Sequence, residues 1–157
     1  MRVMKRAAML AVAAAVGLGA GAALAQSASD AIAARQQNFK ALGAASKAIN
    51  DEARKDAPDK AVFATNASKL ATLASQLPTW FPRGSGPEAG VKTAAKPEIW
   101  SDAAGFAAAA ANLKTEAAKL DELARAGDID GVKTQARALG GACRNCHEKY
   151  RVPQQRQ

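Results

Sequence analysis

The sequence predicts an all-α protein, an antiparallel four-helix bundle of up-down-up-down topology with a long loop between its second and third helices. Three observations carry this. Apolar residues recur at three- and four-residue steps in four separate stretches, no stretch sustains the two-residue alternation of a strand, and Pro, Gly or Asp clusters separate the stretches. Each such helix has one apolar side to bury, and setting four side by side buries all of them.

The first helix is predicted from Ser29-Asp30, good N-cap types, to about Arg54, with Ile32, Phe39, Leu42 and Ile49 on one side. The segment Lys55-Asp56-Ala57-Pro58-Asp59 ends it. The second runs from about Asp59 to Gln76 on Phe63, Asn66/Ala67, Leu70, Leu73 and Leu77, and Pro78 closes it. Between Pro78 and Pro97 the prolines and glycines, including Trp80-Phe81-Pro82-Arg83-Gly84-Ser85-Gly86, exclude a helix and predict a long crossing loop. The third helix is expected to be continuous from about Pro97 to Ala126, with Ile99, Ala103, Phe106, Ala110, Leu113, Ala117, Leu120 and Ala124 as its packing seam. After a turn at Gly127-Asp128-Ile129-Asp130, the fourth runs to about Tyr150 with Val132, Ala136, Leu139, Cys143, Cys146 and Tyr150 in register.

Ahead of these helices, residues 1–25 read as a secretory leader. Arg2, Lys5 and Arg6 supply a positive start, Ala7 to Ala20 an apolar run, and Ala23-Leu24-Ala25 a small-residue cleavage site. The apolar run is shorter than the roughly 20 residues of a membrane-spanning helix. The processed chain, 26–157, is therefore expected to be one exported, soluble domain, not inserted in the membrane. Processing lowers the net charge from +8 to +5, with 19 basic against 14 acidic residues. The two signs are interspersed and no aromatic residues interleave a basic run, which argues against nucleic-acid binding.

Processing also removes Met1, Met4 and Met9, the only methionines, and leaves His147 as the single histidine beside the two cysteines. Cys143-Arg144-Asn145-Cys146-His147 is the C-x-x-C-H pattern of covalent c-type haem, in which two thiols add to the vinyl groups and the imidazole ligates iron. At about 100° per residue the three side chains fall within an arc of about 100°, so one helix face presents them all. A structural zinc site wants four ligands and finds three. A thioredoxin-like dithiol lacks its βαβ setting, and a plain disulfide leaves His147 unexplained. With no methionine and no second histidine, the usual sixth ligands of an electron-transfer haem are missing, lysine being a rarer alternative. Five-coordinate, high-spin iron is the expectation.

Beyond this motif the residues resemble the cytochrome c′ family, the class II cytochromes c, over essentially the whole processed chain. The resemblance lies in Arg35-Gln36, Trp80-Phe81-Pro82-Arg83-Gly84-Ser85, Lys96-Pro97-Glu98-Ile99-Trp100, and the C-terminal haem motif followed by Tyr150-Arg151. It implies one haem c, with Arg35, Gln36 and, by a weaker match, Thr93 on the propionate side. It also implies Phe39 as an apolar cover of the distal face, where low-spin relatives carry a methionine ligand, and Arg151 on the proximal side. Simpler readings stand beside these: Arg35 as a solvated helix charge, Phe39 as ordinary core, Arg151 as a basic residue favoured at a helix C-terminus.

The function implied is a periplasmic haem protein binding nitric oxide and carbon monoxide, or carrying electrons between periplasmic redox partners. An enzyme such as a peroxidase lacks a second histidine for acid–base work. The resemblance further implies a homodimer through the first two helices, although their alanine-rich faces also suit a monomer.

Overall fold

The computed structural model describes residues 16–153, with side chains from 26 onward. The leader assigned to residues 1–25 therefore falls largely outside the described residues. Four long helices, α1 (Val16–Glu52), α2 (Lys60–Gln76), α4 (Ala103–Ala126) and α5 (Ile129–Tyr150), form the bundle, with a single short turn of helix, α3 (Glu98–Ser101), leading into α4. No strand occurs among the described residues; the one β feature is an isolated antiparallel bridge between Ala95 and Arg151. No helix among them is long and apolar enough to cross a membrane.

Helix α1 begins earlier than Ser29-Asp30. From Ala22 to Ala34 the chain has neither proline nor glycine, so helical hydrogen bonding runs through the expected cap instead of starting at it. Its buried side is Ile32, Arg35, Leu42, Ala45, Ile49 and Glu52, with half-buried Phe39 completing the three- and four-residue spacing. Glu52 is buried because it closes the turn: Oε1 accepts the Asp59 N–H at 2.7 Å and Oε2 accepts from Lys55 at 2.7 Å. Asp59 in turn caps α2, its carboxylate accepting the Ala61 N–H at 2.8 Å.

The expected continuous third helix is broken. Asp102 leaves helical geometry at φ −113°, ψ 56°, ends α3 and caps α4 by accepting the Gly105 N–H at 3.2 Å. The seam beyond it, Phe106, Ala110, Leu113, Ala117, Leu120 and Ala124, is buried as expected, whereas Ala103 is exposed. Gly127 (φ 69°) ends α4, and its N–H and that of Asp128 bond back to Ala124 and Leu123. This left-handed glycine cap turns the chain into α5 within two residues.

Packing is uneven around the bundle. Helix α2 packs along both α1 and α4, and α4 along both α2 and α5, whereas α1 and α5 meet at few points. The core lies between the well-packed helices, with Phe63, Leu70, Leu120, Leu139 and Val132 almost fully enclosed.

Candidate haem site

The crossing loop is more ordered than its composition suggests. Leu77–Trp80 and Pro87–Ala89 are single 3-10 turns, and Gly84 and Gly90 take the left-handed φ values that release the chain between them. Trp80 turns inward and is buried. Its ring meets Phe39 edge-on at 5.2 Å, and contacts continue from Phe39 to Phe81, from Phe81 to Phe106 and from Phe106 to Tyr150 at 4.9–6.1 Å. An aromatic wall therefore runs from α1 to the end of α5.

Arg35 stands at one end of this wall, and the structure rejects the reading of a solvated charge. It is 3% exposed. Nη1 donates to Ser85 Oγ at 3.0 Å and to the Trp80 carbonyl at 3.4 Å; Nη2 donates to the Ser85 carbonyl and to Thr93 Oγ1, both at 2.9 Å. The guanidinium also lies over the Phe81 ring at 4.6 Å. All these acceptors are neutral, and none of the described ion pairs involves Arg35. Burial lowers its pKa, although a guanidinium stays charged. A buried cation without an anion costs several kcal/mol, so this position suits a carboxylate that none of the described residues provides. A haem propionate fits that description.

Gln36 is exposed and donates to the Lys92 carbonyl at 3.1 Å, so it and Arg35 hold the same stretch of loop from two sides. Thr93 belongs to this group through Arg35 and also accepts the Ala95 N–H at 3.1 Å. Two residues further on, the loop joins α5. The Lys96 N–H donates to the Tyr150 carbonyl at 3.0 Å and the Val152 N–H to the Ala94 carbonyl at 2.9 Å. Arg151 takes extended geometry at the bridge, outside the helix, while its N–H still reaches the His147 carbonyl at 3.1 Å.

Cys143 and Cys146 are half-buried on α5 and pack against the core, less enclosed than their register suggested. Burial pushes both thiols above the ordinary range, with the neighbouring Cys143 adding to the shift at Cys146. His147 is largely exposed, yet partial burial of its ring, and then the charge of Arg151, lowers its pKa and favours the neutral imidazole that can ligate a metal. Among the described residues no cluster of three His, Cys, Asp or Glu could hold a metal ion. Thioether attachment with one imidazole ligand needs no such cluster.

Two residues of this end of the bundle did not emerge as site residues from the sequence. Ser85 is fully buried; its hydroxyl accepts from Arg35 and donates to the Pro82 carbonyl at 2.8 Å. Asp102 takes the Tyr150 hydroxyl at 2.8 Å and the Lys149 ammonium at 2.6 Å on one carboxylate oxygen, fastening the end of α5 to the start of α4. Asp102 does carry a readable signal, an Asp three residues ahead of Gly105 where a helix could start. Ser85 carries none beyond its place in the Trp80–Ser85 segment.

The chain is similar to known proteins in sequence and in fold. The family described as cytochrome C' matches residues 30–151. Cytochrome c' of Rubrivivax gelatinosus is 40% identical over 124 residues, covering 78% of this chain and 94% of that protein. Its crystal structure superposes with a TM-score of 0.71 at 37% identity over 78% of this chain and 94% of that one. A nitric oxide complex of a variant cytochrome c prime from Alcaligenes xylosoxidans superposes with a TM-score of 0.73 at 29% identity, over 81% of this chain and 97% of that one. The chain belongs to the cytochrome c′ family, four-helix-bundle proteins with a covalently attached c-type haem.

Proposed function

We propose that the chain is an exported, periplasmic haem protein that binds nitric oxide, and carbon monoxide second, at five-coordinate high-spin iron. In this reading Cys143 and Cys146 form the thioethers, His147 is the one protein ligand to iron, and Arg35, with Gln36 and Thr93 beside it, receives a propionate. The observation that carries the reading is a pairing across the site. His147 is the sequence's only histidine and every methionine lies in the leader, while Phe39, held between Trp80 and Phe81, has no ligating or hydrogen-bonding atom. The haem supplies an iron able to take a diatomic gas. The chain's own contribution is to keep the distal side apolar and narrow. An apolar cover offers nothing to anions and does not stabilise bound dioxygen by hydrogen bonding, so selection among ligands is largely steric. The nitric oxide complex of the Alcaligenes xylosoxidans relative supports the same assignment.

Electron transfer with periplasmic redox partners is the second reading, favoured by the half-exposed position of both cysteines, which brings the attachment edge of the haem to the surface. For an enzyme reading, Phe39 brings no acid–base group to the proposed distal face. For assembly, we propose the homodimer through α1 and α2, to be read by light scattering.

Absorption and paramagnetic-resonance spectra of the purified protein test the first reading. High-spin ferric iron, and a ferrous spectrum that changes on stoichiometric nitric oxide, are expected. Low-spin, six-coordinate iron at neutral pH overturns it, and rapid saturable electron exchange with weak nitric oxide binding favours the second. The double variant Cys143→Ala/Cys146→Ala is expected to lose all covalently bound haem by mass spectrometry.

A further inference from the structure

Two adjacent glycines, Gly140 and Gly141, sit inside α5 just ahead of Cys143. Neither has a positive φ, and a Cβ built on either meets no neighbouring heavy atom within 4 Å. Backbone conformation and packing against the rest of the protein therefore require glycine at neither position, and each weakens the helix relative to alanine.

The two face different ways. At about 100° per residue, Gly140 falls about 20° from His147 and about 60° from Cys143. Gly141, itself half-buried, is turned about 100° away, on the side of the exposed Arg137, Asn145 and Glu148. The core face of α5 stays buried at Val132, Leu139, Ala142 and Tyr150, whereas the edge beside it opens toward the C-terminus, from buried Ala136 through exposed Gly140 and half-buried Cys143 to exposed His147. Side chains on a helix lean toward its N-terminus, so whatever Cys143 and His147 hold together lies over the turn before them, which is where Gly140 is.

We propose that Gly140 is the clearance residue for the haem: its missing side chain leaves the room on α5 that a ring held by Cys143 and His147 requires. Gly141 has no such role. This deepens the attachment proposed above and rests on it. Failure of that attachment shows separately, as covalent haem retained by Cys143→Ala/Cys146→Ala, a result read without reference to either glycine.

The test compares Gly140→Ala, Gly140→Leu and Gly141→Ala in the full chain, matured with its haem. It measures covalent haem per chain by mass spectrometry, the absorption spectrum, and the melting temperature. Gly141→Ala is expected to keep attachment and spectrum and to melt higher by roughly 2–5 °C, the gain from helix propensity. Gly140→Ala is expected to melt lower than the parent or to lose at least about half of its attached haem, and Gly140→Leu to lose most of it. Failure to recover haem-bearing Gly140 variants while Gly141→Ala matures normally supports the proposal. If Gly140→Ala melts higher to the same degree as Gly141→Ala with an unchanged spectrum and full attachment, the proposal is overturned.

Discussion

Arg35 shows what a single side chain decides. It occupies the buried stripe of α1 between Ile32 and Phe39, where periodicity calls for an apolar residue, and it is tolerated because four neutral acceptors and an aromatic face surround it. Arg35→Leu leaves the Ser85 and Trp80 acceptors without their donor in a buried place. It is expected to destabilise the protein by about 2–4 kcal/mol in denaturant unfolding. Arg35→Lys keeps the charge but cannot spread donors across Ser85, Trp80 and Thr93 at once, so it is expected to recover less than half of that loss. At Phe39 the test is spectroscopic: Phe39→Met puts a thioether where the proposed distal face is, and is expected to shift ferric iron toward low spin. Substitution with no change of spin state removes Phe39 from the distal role. Such positions were legible to different degrees. Cys143, Cys146 and His147 could be read from local chemistry alone, because thiol and imidazole spacing is a property of a few consecutive residues. Arg35 and Thr93 are 58 residues apart, and their hydrogen bond exists only after the crossing loop has folded back over α1.

Among the elements, the corner at Asp102 matters most. Unbroken apolar spacing from Ile99 to Ala124 predicts one helix, yet the capping carboxylate and its three donors outweigh the continuity of the pattern, and the chain turns. The hydrogen bond from Lys149, then those from Tyr150 and the Gly105 N–H, hold the Asp102 carboxyl below the usual carboxylate range. A carboxyl depressed on folding stabilises the native state above its unfolded pKa, near 3.9 for a free aspartate, and that contribution vanishes as pH falls through the lower folded value. Asp102→Asn is therefore expected to melt lower than the parent at pH 7, with the gap narrowing as pH falls through the acid range, in paired thermal scans. Equal melting at pH 7 would show that the corner is fixed by the loop and not by the carboxylate. The early start of α1 has the same lesson in reverse. Ser29-Asp30 carry capping chemistry, but residues before them continue the helix, so the cap has no end to close.

For the whole molecule, the four long helices and the turns that join them follow from periodicity and breakers, because both act over neighbouring residues; the early start of α1 and the break at Asp102 are the departures. Which pair of helices packs loosely does not, since an apolar stripe names a buried face and not its partner. That pair is α1 and α5, the two helices that bear Arg35, Phe39 and the Cys143–His147 segment. With the proposed attachment lost in Cys143→Ala/Cys146→Ala, hydrogen exchange is expected to quicken first in α1 around Phe39 and in the last two turns of α5. Helices α2 and α4, each clasped by two neighbours, are expected to exchange last, and uniform acceleration would show that the cofactor supports the bundle as a whole. The bridge between Ala95 and Arg151 has a mechanical consequence as well. Its two backbone hydrogen bonds tie the chain's tail to a loop that is itself tied to α1 through Thr93 and Lys92. A force pulling on the C-terminus is therefore shared across three segments before any turn of α5 unwinds, and a tag added after Val152 hangs from a clasp, not from the end of a fraying helix.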